Sequence, residues 1–314
     1  MTGSRFGDRP GRQGLAAGIA ALFVLLFLLW SCESFGDTVS IGAQVAGALG
    51  VIDAEAADSI SRSGQAISRA AEEITPEQEY YIGRAVGANI LSRYRVWQGN
   101  AGLTKYLNEI CMVIVINSPR PEIYNGYHVA ILDTMEINAF ATPGGHIFIT
   151  RGLLACADSE DSLAAVIAHE IGHIQLQHSI KAIKNSRITN AIMTTASSTA
   201  RTLGNDDLKE LADVMDESVN EIITTLIDRG YSQEQEFDAD TAAMSLLAAA
   251  GYDPAGLISM LQQLEKGQRN QTGGLTKTHP TPSRRIERAR DTVIKFKVPD
   301  TRSYRTARYR QITG

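Results

Sequence analysis

The chain has 314 residues, a net charge of −5 and an ordinary globular balance of apolar and charged residues. That suits one enzyme domain plus appendages. The slight acidity and the lack of a long basic run argue against nucleic acid as a partner.

The N-terminus departs from the rest. Arg5, Arg9 and Arg12 precede an uncharged apolar run from Gly14 to Trp30, closed by Ser31-Cys32. A basic start, an apolar core too short for a comfortable span of ~20 residues and a small residue at the end describe a secretory signal over residues 1–31. Leu29-Trp30-Ser31-Cys32 resembles a bacterial lipobox, from which Trp30 is a departure. The resemblance implies lipidation of Cys32, a lipid anchor in the membrane and a periplasmic body. Glu33 after the cysteine suggests the outer membrane. An uncleaved anchor in the inner membrane and ordinary cleavage are the alternatives, and both also place the body outside the cytoplasm. Cys111 and Cys156 then either form a disulfide in an oxidising compartment or remain buried thiols. Sequence alone cannot place their Cβ atoms within bonding reach.

Residues 32–74, rich in Ala, Gly and Ser, read as a tether with weak helical character. The ordered domain, residues 75–294, is predicted to start at Thr75-Pro76-Glu77-Gln78, a capping box with Pro in the first turn. Its first helix is expected to reach about Arg95 and to bury Tyr81, Ile82, Val86 and Ile90. A second is expected near Leu103 to Ile116. Alternation predicts strands over 127–132, 137–141 and 146–150, with turn chemistry at Thr142-Pro143-Gly144-Gly145. They are expected to form a small antiparallel sheet beside the next helix, predicted from about Asp161 to His178. Residues 180–204 read as a loosely specified helix. Asn205 caps a better one, with a stripe from Leu208 to Leu226 and Gly230 at its end. Ser232 caps another. The tail, 295–314, is expected to pack on the domain. The fold class is α+β, mainly helical.

His169-Glu170-Ile171-Gly172-His173 carries the chemistry. Two histidines four apart on a helix share a face, about 6 Å apart at Cβ. Both can ligate one zinc ion, with Glu170 beside them as general base. A third ligand is needed. Glu236 and Asp240, four apart on a separate helix, fit a gluzincin: Glu236 as ligand, Asp240 hydrogen-bonded to a metal histidine. Glu234 is the fallback. The scheme with a third histidine fails, since Leu176 and Ser179 stand where Gly and His are required. His178 reads as a helix-end residue favoured by the C-terminal dipole.

At this point the chain resembles the zinc peptidase family that includes the HtpX heat-shock proteases, the CAAX prenyl proteases and the mitochondrial Oma proteases. The match rests on Asn138 through Gly145 with Gly152-Leu153-Leu154, on Ala168 through His173, on Glu236 through Asp240, and on His279-Pro280 with Arg285-Ile286. It spans roughly Pro76 to Arg290 and fits a periplasmic, lipoprotein-type branch. The resemblance implies one zinc per chain held by His169, His173 and Glu236, and an endopeptidase of unfolded or misassembled envelope proteins. It makes Asn138, Ala139, Phe140 and Ala141 an edge strand that binds substrate by strand addition; an ordinary hairpin is the alternative. His279 either stabilises the oxyanion, occupies zinc's open position as a reversible fourth ligand, or is a loop residue. The rival functions are a chaperone-like assembly factor using the same cleft and a hydrolase of non-peptide amides.

Overall fold

The structure is a computed structural model and describes residues 32–50, 52–197, 219–268, 279, 282–297 and 301–313. The signal segment 1–31 and residues 205–218 of the helix expected from Asn205 lie outside the described residues. The chain divides into two compact units, one of residues 1–73 with 186–204 and one of residues 74–185 with 205–314.

In the first unit, α1 (Cys32–Ala48) and α2 (Ala54–Ala71) fold back on each other as a hairpin. This is more regular than the weakly helical tether expected. The periodicity is one of small residues: Ala57, Ser61, Gly64 and Ala71 form the buried face of α2, and Ser61 hydrogen-bonds Ser40 of α1. Small side chains let two helices approach without a large apolar stripe.

The second unit opens with α3 (Pro76–Arg93), capped by the expected box between Thr75 and Gln78. It buries Ile82, Val86 and Ile90, whereas Tyr81 is 49% exposed. Tyr81 instead joins a surface aromatic group with Tyr80 and Tyr124. α4 (Ala101–Ile116) is capped by Asn100. Strands β1 (His128–Leu132), β2 (Ala139–Ala141) and β3 (His146–Thr150) follow in the order β1-β3-β2. The sheet is mixed rather than antiparallel: β2 and β3 form a hairpin, but β1 runs parallel to β3. Gly144, at φ 71°, makes the turn between β2 and β3, and a Cβ there would lie 2.5 Å from the Tyr80 backbone.

Both faces of the sheet are covered, so its strands are almost wholly apolar. Ile131, Ala139, Ala141, Ile147 and Ile149 face one core with α4. Leu132, Phe140 and Phe148 face a second core with Ile82, Val86 and Ile90 of α3. A short helix α5 (Arg151–Leu154) leads into α6 (Glu160–Gln175), which lies in the first core through Leu163, Ile167 and Ile171. α7 (His178–Ser197) follows, then a π-helical turn at Thr224–Arg229. α8 (Gln233–Ala249), α9 (Ala255–Gln268) and α10 (Pro282–Val293) complete the core. The tail forms α11 (Arg302–Thr313) and packs on the domain as expected. No helix among the described residues is long and apolar enough to cross a membrane. Cys111 and Cys156 are both free in this structure, the thiol alternative of the two left open by the sequence.

Candidate metal centre

Helix α6 is buried along nearly its whole length, which brings His169, Glu170 and His173 inside the domain. Gly172 lets α8 cross it closely: a Cβ at this position would stand 3.1 Å from the Ala239 carbonyl oxygen. That crossing carries Glu236 to the two histidines. His169 Nε2 and His173 Nε2 lie 3.1 Å apart, and each lies 3.4 Å from a Glu236 oxygen. Ligands of a tetrahedral zinc at about 2.0–2.1 Å sit about 3.3–3.4 Å from one another. The donor set therefore has the spacing of three corners of such a site. His279 joins the cluster, all four ligand atoms lying within 4.8 Å of one another. Glu236 Oε2 is buried without a well-formed hydrogen bond, and its charge is met by the Arg285 guanidinium, with Nη1 3.1 Å away. Glu234, the fallback, instead faces solvent and pairs weakly with Arg288.

The surrounding shell fixes the rings. His169 Nδ1 lies 3.0 Å from Asp240 Oδ1, so its N–H points at the carboxylate and Nε2 keeps its lone pair for a metal. Arg285 grips Asp240 through Nε and Nη2 at 2.8 and 2.6 Å, and its Nη1 is 3.1 Å from Glu236 Oε2. Burial would raise Asp240, but this guanidinium overrides it and holds the carboxyl at about 2. Glu236 is likewise held well below its ordinary range, against burial, by His279 and Arg285. Glu170 moves the other way, pushed up chiefly by burial.

His178 does not end the motif helix. α6 stops at Gln175, and His178 begins α7 with its Nδ1 2.8 Å from His173 Nδ1. Burial pushes its pKa down to about 4, so it is neutral at pH 7. Tyr231 stacks on the His173 ring, with centroids 4.0 Å apart and planes at 17°. Arg285, His178 and Tyr231 are the site residues to which sequence reasoning gave no role. The Arg285-Ile286 match to the family was the one available signal for any of them.

Glu170 opens onto a cleft lined by Ala139, Phe140 and Ala141 of β2, and by Leu226, Tyr231 and His279. β2 is an edge of the sheet, so the expected substrate strand and the expected base share one cleft. Asn138 stands just before it, its side-chain oxygen accepting from Ala139 N–H. The cleft is too narrow in this form to admit even a water molecule, whereas ligand pockets typically hold roughly 300–1,000 Å³.

A sequence model of Peptidase family M48 matches residues 102–293. The metalloprotease LoiP of Escherichia coli K12 is 30% identical over 156 residues, covering 50% of this chain and 58% of that protein. The beta-barrel assembly-enhancing protease of Yersinia pestis is 27% identical over 213 residues, covering 64% of this chain and 41% of that protein. The mitochondrial metalloendopeptidase OMA1 of Schizosaccharomyces pombe is 26% identical over 187 residues, covering 59% and 51%. The chain thus spans about half the length of these relatives.

Proposed function

The chain belongs to Peptidase family M48, and from that premise we propose that it is a zinc-dependent endopeptidase of the bacterial cell envelope that cleaves unfolded or misassembled proteins. The observation that carries the reading is the placement of two Nε2 atoms and a carboxylate at tetrahedral spacing beside Glu170, across a cleft from the β2 edge.

His169, His173 and Glu236 would hold one zinc ion, which supplies a Lewis acid that polarises the scissile carbonyl and acidifies water. Glu170 takes the proton from the attacking water and returns it to the leaving amine. Its raised pKa leaves it a stronger base than an exposed glutamate. Asn138 to Ala141 hold the substrate as an added strand, by main-chain bonds that ask for extended chain more than for sequence. Leu226, Tyr231 and His279 line the same cleft, which supports reading this narrow form as a latent one. His279, with Nδ1 2.7 Å from Glu236 Oε1, would be the reversible fourth ligand of that latent form.

Cys32 of the lipobox-like segment is the proposed anchor, with the body in the periplasm and the outer membrane as its site. Cys32→Ala should then move the protein from the membrane to the soluble fraction. One polypeptide offered both native and irreversibly unfolded tests the substrate class. The unfolded form should be cut at least tenfold faster, and equal rates would contradict the quality-control reading. Binding without cutting would favour the assembly-factor role, a role suggested by the relative named for beta-barrel assembly.

A further inference from the structure

Residues five apart on one continuous helix point about 140° away from each other, so His173 and His178 could not meet on an unbroken α6. The chain brings them together by ending the helix between them. Leu176 N–H closes on Gly172 O at 2.9 Å and Gln177 N–H on Ile174 O at 3.0 Å. Gln177 then takes φ 55°, the only non-glycine residue in the left-handed region among the described residues. Side chains bearing a Cβ disfavour that conformation, and where it persists the surroundings hold it in place. Its consequence here is the next residue. His178 turns back into the domain at 2% exposure, its ring edge-on to His173.

The contact is specific to one atom of each ring. His173 Nε2 faces the metal centre, 3.1 Å from His169 Nε2 and 3.4 Å from Glu236 Oε1. Its Nδ1 faces His178 Nδ1 at 2.8 Å. Two ring nitrogens at that distance share a hydrogen bond only when one donates and the other accepts. With the Nε2 lone pair committed to a metal, the donor is His173 Nδ1–H and the acceptor is His178 Nδ1. Tyr231 closes the remaining freedom by stacking on the face of His173, and its hydroxyl is tied to Ser179 Oγ at 2.7 Å, one residue beyond His178.

We infer that His178 is a positioning residue of the metal centre, accepting the Nδ1 proton of His173 so that Nε2 keeps its lone pair and its aim toward zinc. It does for His173 what Asp240 does for His169. The two acceptors differ in charge. Asp240 is an anion compensated by Arg285, whereas His178 is a neutral acceptor that adds no charge beside Glu236 and Asp240. A neutral acceptor at the same atom should therefore replace it. The inference rests on the zinc reading proposed above.

The test measures zinc affinity of the full chain by chelator competition, with apo-protein melting recorded alongside. His178→Phe keeps an aromatic of similar bulk and loses the acceptor; zinc binding should weaken roughly 10–100-fold. His178→Asn sets an amide oxygen where Nδ1 was and should stay within about threefold of wild type. In the zinc-loaded wild type, nitrogen NMR should show a coupling between His173 Nδ1 and His178 Nδ1 across the hydrogen bond. That measurement decides the matter even if a variant fails to fold. Unchanged affinity in His178→Phe, equal losses in both variants, or no such coupling would each overturn the inference. A wild-type protein that takes up no zinc would overturn the zinc reading as well.

Discussion

Arg285 sets one guanidinium against Asp240 and Glu236, both buried. Removing one partner of such a group leaves uncompensated charge, which typically costs about 3–5 kcal/mol. Arg285→Met should therefore lower apo stability by about that much, and by clearly less with zinc bound, since the ion's charge then faces the same carboxylates. Paired melts with and without zinc check this. The sign with pH follows from Asp240. Its folded pKa of about 2 is depressed below the ordinary 3.8, so its stabilisation is present above pH 4 and is lost as pH falls through about 2. Acid titration of Arg285→Met should show that loss beginning at higher pH. His169, Glu170, His173, Glu236 and Asp240 were legible in the sequence because each lies one helical turn from, or beside, a partner of matching chemistry. Arg285 and Tyr231 were not, because their contacts join segments far apart in the chain. His178 was misread because its placement depends on α6 ending at Gln175, three residues earlier than expected.

At the scale of elements, the centre depends on how closely α6 and α8 cross. Gly172→Val places two methyl groups where the Ala239 carbonyl already lies 3.1 Å from a would-be Cβ. Overpacking of this kind costs about 1–3 kcal/mol, and here it also pushes Glu236 away from the histidines. Weaker zinc binding alongside the lower melting temperature would separate this from simple destabilisation. The first turn of α6 is held from the other end by α11. Arg308 pairs with the buried Glu160, which also accepts from Tyr106 Oη at 2.7 Å, while Arg305 pairs with Asp161 at 2.8 Å. Arg308 is half exposed, so Arg308→Ala should cost about 1–3 kcal/mol rather than the full value for a buried pair, read as a shift in urea midpoint. The caps at Thr75 and Ser232 and the three strands were readable from local chemistry. The parallel pairing of β1 with β3 was not, because alternation fixes which residues share a face and leaves strand order open.

For the molecule as a whole, the proposed latent form would join regulation to chemistry in one cleft. His279 lies against Glu236 and lines the cleft with Leu226 and Tyr231. If it holds the latent form, His279→Ala raises basal cleavage severalfold; if it supports the oxyanion, the same variant loses about 100-fold or more. A peptidase assay on unfolded substrate tells the two apart. The central claim is tested most directly at Glu170, by measuring zinc content and turnover in the same preparation of Glu170→Gln. The account predicts one zinc per chain, as in wild type, with cleavage reduced by about 10²–10⁴. Near-normal cleavage by a zinc-replete Glu170→Gln protein would contradict it.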